Sequence, residues 1–252
     1  MGGPCFLLVG DDSAPATGAV DAARLKFAFD SAGRPTGAGG RRRVRGPPAT
    51  DNFAVHPFTF DGTLWQSVEQ CYQAHKFPDA NMREAIRLMV PQPGETDHTH
   101  GLRVWQAGAR GKVREDWDAV KIEIMLRACR SKLAAHEDLR EQLLSTGDVP
   151  IIGGPSTDWV GASGHHGWST WNGKIQELLR EELRQAATGA APSEKLHELT
   201  AAFADYMRAE GGAKHPLPQG SEESSLAAVP VASKLFLPPP PPKGSEDDAG
   251  LS

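Results

Sequence analysis

No stretch of the 252-residue sequence comes near the ~18–20 consecutive apolar residues that a membrane-spanning helix needs, so no membrane partner is expected. Cysteine is scarce. Cys5, Cys71 and Cys129 are too few and too scattered for a disulfide framework or a zinc cluster, which fits a reducing, soluble compartment: the cytoplasm or the nucleus. A basic excess is missing as well. Lys and Arg number 27 against 32 Asp and Glu, a formal net charge of −5, and this argues against a protein whose main task is neutralising nucleic-acid phosphates. The opening residues carry no basic n-region, and Phe6-Leu7-Leu8-Val9 is too short an apolar run for a secretory signal. Phe6 stands where a myristoylation motif needs Ser or Thr. Hydrophobic residues are only 39%, against a usual ~45–50% that also counts glycine. With 27 Gly and 20 Pro, that points to unfolded flanks around one domain.

Those flanks are expected at 1–47 and 211–252, with a single folded domain at 48–188 and an appended helix at 192–210. The first flank holds one strand-like run, Leu25 to Phe29. Gly37 to Gly40 and the basic cluster Arg41-Arg42-Arg43-Val44-Arg45 read as a solvated linker, with a nucleic-acid or localisation patch as the other reading. The last flank is a Pro-rich acidic tail ending in Pro238–Pro242 and Glu246-Asp247-Asp248, a candidate ligand for SH3-like or WW-like partners.

Within the domain, Phe58 to Trp65 reads as two strand ends about an Asp61-Gly62 turn. Ser67 caps a helix running to Phe77, and a second helix spans Asn81 to Val90. Pro91 to Gly101 is a polar loop and Leu102 to Arg110 is helical. The strongest helix runs from Trp117 to His136 with Asp116 as its N-cap, and its broad apolar stripe marks it as central. Glu137 to Leu144 continues helically, Val149 to Ile152 is a short strand, and Gly153 to Trp171 is a Gly/Ser/His-rich loop. A helix follows from Asn172 to Gln185. Pro192 to Glu210 is amphipathic, with Leu196, Leu199 and Phe203 at helical spacing.

The helix after the hairpin carries the chemistry. At ~3.6 residues per turn, Glu69, Gln73 and Lys76 share one stripe, beside Val68, Cys71, Tyr72 and His75. Such a polar stripe is either a solvated face or a pocket wall offering a carboxylate, an amide and an ammonium. Cys71, on the apolar side, reads as a buried thiol and Trp65 as core. The pairs His98-x-His100 and His165-His166 lack the further ligands a metal site needs, so neither metal nor cofactor is expected.

At these residues the chain resembles the NADAR family, the YbiA-like N-glycosidases. The carriers are Gly62-x-x-Trp65-x-x-Val68-Glu69-x-x-Tyr72-Gln73-Ala74-x-Lys76-Phe77, then Arg114-x-Asp116-Trp117-x-x-Val120-Lys121-x-x-x-Met125, then Leu143-Leu144-x-Thr146-Gly147-Asp148. Asp158, Gly161, Gly164 and Asn172 follow in the order of the family's last motif. The departures are Asn52-Phe53, all that remains of the family's opening motif, and a last motif in which Trp159 directly follows Asp158 and Asn172-Gly173-Lys174-Ile175 replaces the usual residues.

The resemblance implies a compact, helix-rich α+β fold with a few short strands. It also implies hydrolysis of an N-glycosidic bond between ribose C1′ and a nitrogen base. The substrates implied are ADP-ribosylated guanine, free or in nucleic acid, or phosphoribosylated intermediates of riboflavin synthesis. Departure of the base leaves positive charge on the ribose, which a carboxylate stabilises or relieves by activating water. Glu69 and Asp158 are the candidates, with Asp118 as a competitor that can equally cap a helix. Lys76 either holds a phosphate or attacks C1′ through a Schiff base, which requires a depressed pKa. Trp117 and Trp168 are candidates to stack on a base, with core packing open for Trp117. Gly161 and Gly164 let backbone amides approach phosphate oxygens, or simply belong to a flexible loop. Asn52, Gln73 and Asn172 complete the substrate contacts. The altered last motif leaves a second reading, a non-catalytic module that binds ADP-ribose or a nucleotide. The sequence does not set the oligomeric state.

Overall fold

The computed structural model describes residues 3–10 and 41–211. Leu25 to Phe29 and the Pro-rich tail lie outside the described residues. Those described form an α+β domain of seven helices and seven short strands, with helix dominant. At its centre lies α4 (Trp117–Ala135), which buries Val120, Ile122, Ile124, Met125, Ala128, Cys129 and Leu133. Apolar residues face nearly all round it, as a helix packed on several sides requires. Around it pack α1 (Val68–His75), α5 (Glu137–Ser145), α6 (Trp168–Thr188) and α7 (Glu194–Ala209).

The elements near α1 follow local rules. Strands β3 (Phe58–Phe60) and β4 (Thr63–Trp65) pair across Asp61 and Gly62, whose φ values of 47° and 73° are both left-handed, as the tight primed turn demands. Ser67 Oγ then accepts from the Gln70 amide at 3.2 Å and starts α1. α2 (Ala80–Arg87) comes next, and α3 (Asp97–Gly108) lies across α1. α3 begins before Leu102 because Thr96 and Thr99 cap each other reciprocally, so part of the expected polar loop is helix. α3 approaches closely through two glycines. A Cβ on Gly101 would overlap the Phe53 ring, and one on Gly108 would overlap the Gln73 side-chain amide.

Three expectations are corrected. Residues 3–10 and 41–45 are not linker. β1 (Cys5–Gly10) is the middle strand of an antiparallel sheet, between β2 (Arg41–Arg45) and β5 (Ile151–Gly153). The apolar run at Phe6 to Val9 finds its partners far away in sequence: Leu7 pairs with Val44 and Ile151, and Phe6 with Ile152. Arg43, within the basic cluster, lays its guanidinium 4.9 Å from the Phe6 ring centre and donates to the Gly153 carbonyl. Next, Gly153 to Trp171 is not one loop. β6 (Asp158–Gly161) and β7 (Gly164–Gly167) form a hairpin, and α6 starts at Trp168, earlier than expected, with no side-chain cap to announce it. Finally, Asp116 occupies the N-cap position of α4 without capping it. Its carboxylate grips Arg114 in a bidentate pair instead.

Candidate active site

The polar stripe of α1 is not a solvated face. Glu69 is fully buried and Gln73 is 1% exposed. Gln73 Nε2 donates to Glu69 Oε1 at 2.5 Å, a charge-assisted bond that fixes the amide with nitrogen toward the carboxylate. Two helical turns along from Glu69, half-buried Lys76 reaches the Gly108 carbonyl at 3.4 Å. Gln73 and Lys76 open into a cleft of about 120 Å³, which Tyr72, Trp105, Trp117, Lys121, Met125, Thr157, Trp159 and Trp168 also line. Glu69 stands behind Gln73 rather than at the surface of this cleft.

Aromatic rings form a continuous wall. Tyr72 contacts Trp117 with centroids 4.9 Å apart and Trp168 at 5.2 Å, and Trp168 contacts Trp159 at 5.5 Å. Lys121 is the second ammonium. Its side chain is 6% exposed, and Nζ sits 3.7 Å from the Trp159 ring centre and 2.7 Å from Asp118 Oδ1. Burial lowers the pKa of Lys121, against the opposing pull of Asp118. Lys76 is lowered too, first by burial and further by the Lys121 charge, while Glu69 opposes both. The desolvation and cationic neighbour that a nucleophilic lysine requires are therefore both present.

The other expected residues divide. Gln73, Trp117 and Trp168 line the cleft. Asp118 is exposed and reaches it only through Lys121. Asn52 and Asn172 are buried beneath it. Asn52 Nδ2 donates to Asn172 Oδ1 at 3.4 Å and Cys129 Sγ donates to Asn52 Oδ1, so both amides serve the core. Asp158 does not join Glu69 and Lys76. Alternation along the strand turns Thr157 and Trp159 into the cleft and Asp158 away from it. Asp158 lines a second, larger depression of about 410 Å³ with His165, Lys174 and Asp205, beside the start of α6. Gly161 and Gly164 sit at the tip of the β6–β7 hairpin and line neither. Of Glu69, Lys76 and Asp158, only Lys76 lines the cleft. Cys71 is a buried free thiol whose pKa burial raises. Among the described residues no group of three or more His, Cys, Asp or Glu side chains could hold a metal ion.

Residues 46–184 match the NADAR domain family. The chain belongs to the NADAR family. Among its relatives is the N-glycosidase Npun_R5314 of Nostoc punctiforme, 33% identical over 139 residues that cover 53% of this chain and 83% of that protein. N-glycosidase YbiA of Escherichia coli K12 is 32% identical, over 52% of this chain and 79% of YbiA. The riboflavin biosynthesis protein VVA0006 of Vibrio vulnificus is 30% identical, over 54% of this chain but only 35% of that larger protein. The NMR structure of E. coli YbiA aligns at 29% identity with a TM-score of 0.45, covering 58% of this chain and 83% of that one. At the level of the NADAR family the role is that of a hydrolase acting on N-glycosyl compounds.

Sequence reasoning missed the cleft roles of Lys121, Trp105, Trp159, Thr157 and Met125. A signal existed for Lys121, a lysine set within the apolar stripe of the central helix and three residues after Asp118. For Trp159 the signal was its alternation with Asp158, legible only once the segment is known to be a strand. Nothing in the sequence placed Trp105.

Proposed function

We propose that this chain hydrolyses the N-glycosidic bond between ribose C1′ and a nitrogen base. Its substrate is a ribosylated small molecule such as a phosphoribosylated riboflavin-pathway intermediate, or ADP-ribosylated guanine. The observation that carries the reading is the buried Glu69–Gln73–Lys76 stripe ending at an aromatic-walled cleft with a second ammonium, Lys121. The cleft is small beside the ~300–1,000 Å³ of typical small-molecule sites, so it receives the reacting ring and leaves the rest of the ligand outside.

Each group has a task that its surroundings support. Gln73 Oε1 is buried without a hydrogen-bond partner, an acceptor for a ribose hydroxyl or a base N–H. Trp117, Trp159 and Trp168 offer faces on which a ring stacks. Lys121, paired with Asp118, binds a phosphate oxygen. Lys76, whose pKa burial lowers, attacks C1′ as the neutral amine. The Nζ–C1′ bond forms as the C1′–base bond breaks, and the base leaves with the bonding pair and takes up a proton. The furanose ring opens to a Schiff base, and water adds to C1′ and restores the amine. Glu69, from behind Gln73, supplies negative potential where positive charge gathers on the sugar.

The test is incubation of the purified full chain with ADP-ribosylated guanosine and, separately, with the phosphoribosylated riboflavin-pathway intermediate, followed by chromatography of free base and ribosyl product. Release from one of them supports the reading and names the substrate. Saturable binding of both without product favours the non-catalytic module, which the displacement of Asp158 from the cleft makes a specific alternative.

A further inference from the structure

The family match ends at residue 184, yet the wall of the cleft that carries Trp159 is held from beyond that point. After α6, helix α7 doubles back and buries Leu196, Leu199, Phe203 and Tyr206. These apolar contacts explain why α7 docks. They do not explain the carboxylate at its end: the Glu210 side chain is only 5% exposed. Its Oε1 accepts from the Ser163 amide at 3.0 Å and from the Ser163 hydroxyl at 2.9 Å. A Cβ on Gly161 would overlap this carboxylate, so glycine stands there because Glu210 fills the space.

The hydrogen bonds around Glu210 run in one direction. Trp171 Nε1 donates to His166 Nδ1 at 3.4 Å. With Nδ1 accepting, neutral His166 carries its proton on Nε2 and donates to Ser163 Oγ at 2.8 Å. The Ser163 hydroxyl then donates to Glu210. Ser163 is therefore not activated as a nucleophile, because the histidine gives a proton toward it rather than taking one. The chain ends on the hairpin tip and locks it. Tyr206, on the same helix, donates to the Asp118 carbonyl at 2.7 Å. α7 thus holds both partners of Lys121: the hairpin bearing Trp159 and the residue whose carboxylate pairs with its ammonium.

We propose that Glu210 is a positioning residue of the cleft, acting through Ser163 and the β6–β7 hairpin to hold the Trp159 indole where it meets Lys121 and the substrate ring. The proposal rests on the N-glycosidase reading of this cleft. A ring stacked on Trp159 is bound alike in ground state and transition state, so the loss appears in KM more than in kcat.

The experiment compares full-length Glu210→Ala, Glu210→Gln, Gly161→Ala and the Gly161→Ala/Glu210→Ala double variant, by kinetics and by hydrogen exchange at the Ser163 and Gly164 amides. Glu210→Ala is expected to raise KM about tenfold with kcat nearly unchanged, and Glu210→Gln, which still accepts from Ser163, to stay within about threefold of the parent. Gly161→Ala is expected to resemble Glu210→Ala and to add nothing in its background, because the colliding carboxylate is gone. An unchanged KM in Glu210→Ala, or additive effects in the double variant, overturns the proposal. Hydrogen exchange needs no substrate. If the full chain releases base from neither compound, the N-glycosidase reading fails by itself, and hairpin amides as protected in Glu210→Ala as in the parent overturn the clamp separately.

Discussion

Gly108→Ala is a substitution on which local propensity and tertiary packing disagree in sign. Gly108 is the last residue of α3, and replacing a helical glycine by alanine stabilises by up to ~1 kcal/mol on propensity alone. The new methyl, however, would overlap Gln73 Oε1 and stand 2.6 Å from Gln73 Cδ and 2.9 Å from its Cβ. The Cβ contact decides the matter, since the root of a side chain anchored in α1 cannot swing aside as its tip can. Overpacking of this kind costs about 1–3 kcal/mol. Displacing the amide also breaks the bond to Glu69, a further ~1.5–3 kcal/mol for a hydrogen bond to a charged group. The net expectation is a loss of roughly 1.5–5 kcal/mol, or a fall in Tm of about 2–4 °C for each kcal/mol in a domain of this size. The assay is urea unfolding followed by circular dichroism, with base release measured on the same preparation. Activity should fall with stability, because Gln73, which lines the cleft, has moved. A variant that is more stable than the parent and equally active would falsify the described approach of α3 to α1.

Lys76→Ala should lower base release by at least ~100-fold with unchanged far-ultraviolet circular dichroism, since a group acting directly on the reacting centre contributes ~10²–10⁴, and Glu69→Gln by about 100-fold through the negative potential it removes from behind Gln73. Borohydride added during turnover should leave a ribosyl mass adduct on the parent and none on Lys76→Ala, whereas an unmodified parent would reduce Lys76 to an anion anchor. In the proposed reaction Lys76 works as the neutral amine, and its pKa lies below the ordinary lysine value, so the rate should climb as pH rises through that lowered pKa and then level off. A rate that declines over the same interval would mean that the ammonium is the form required. Asp158→Asn should keep base release within about threefold, as expected for a surface charge outside the reacting cleft. A hundredfold loss would return Asp158 to the catalytic set.

What the sequence revealed of this molecule depended on how local the cause was. The Asp61-Gly62 turn, the Ser67 cap and the broad stripe of α4 are each written within a few residues, and each appears as read. The buried α1 stripe was legible as a pattern, but its burial was not, because α3 covers it by way of Gly108, which a sequence presents only as a weak helix former. The strand at Cys5–Gly10 is invisible locally, since its partners are Val44 and Ile151 and Ile152. Asp158 was misplaced for a related reason. Motif order puts it next to the chemistry, but the pleat of a strand sends neighbours to opposite faces.

The middle position of β1 bears on how this protein is handled in the laboratory. An expression clone trimmed to the recognised family borders at 46 and 184 would discard β1, the strand that pairs with Ile151–Gly153, and β2 beyond it, together with α7. The bared edge at Ile151 and Ile152 would then be free to recruit another copy, which is how shortened domains come to precipitate. A soluble preparation should begin ahead of Pro4 and run past Glu210.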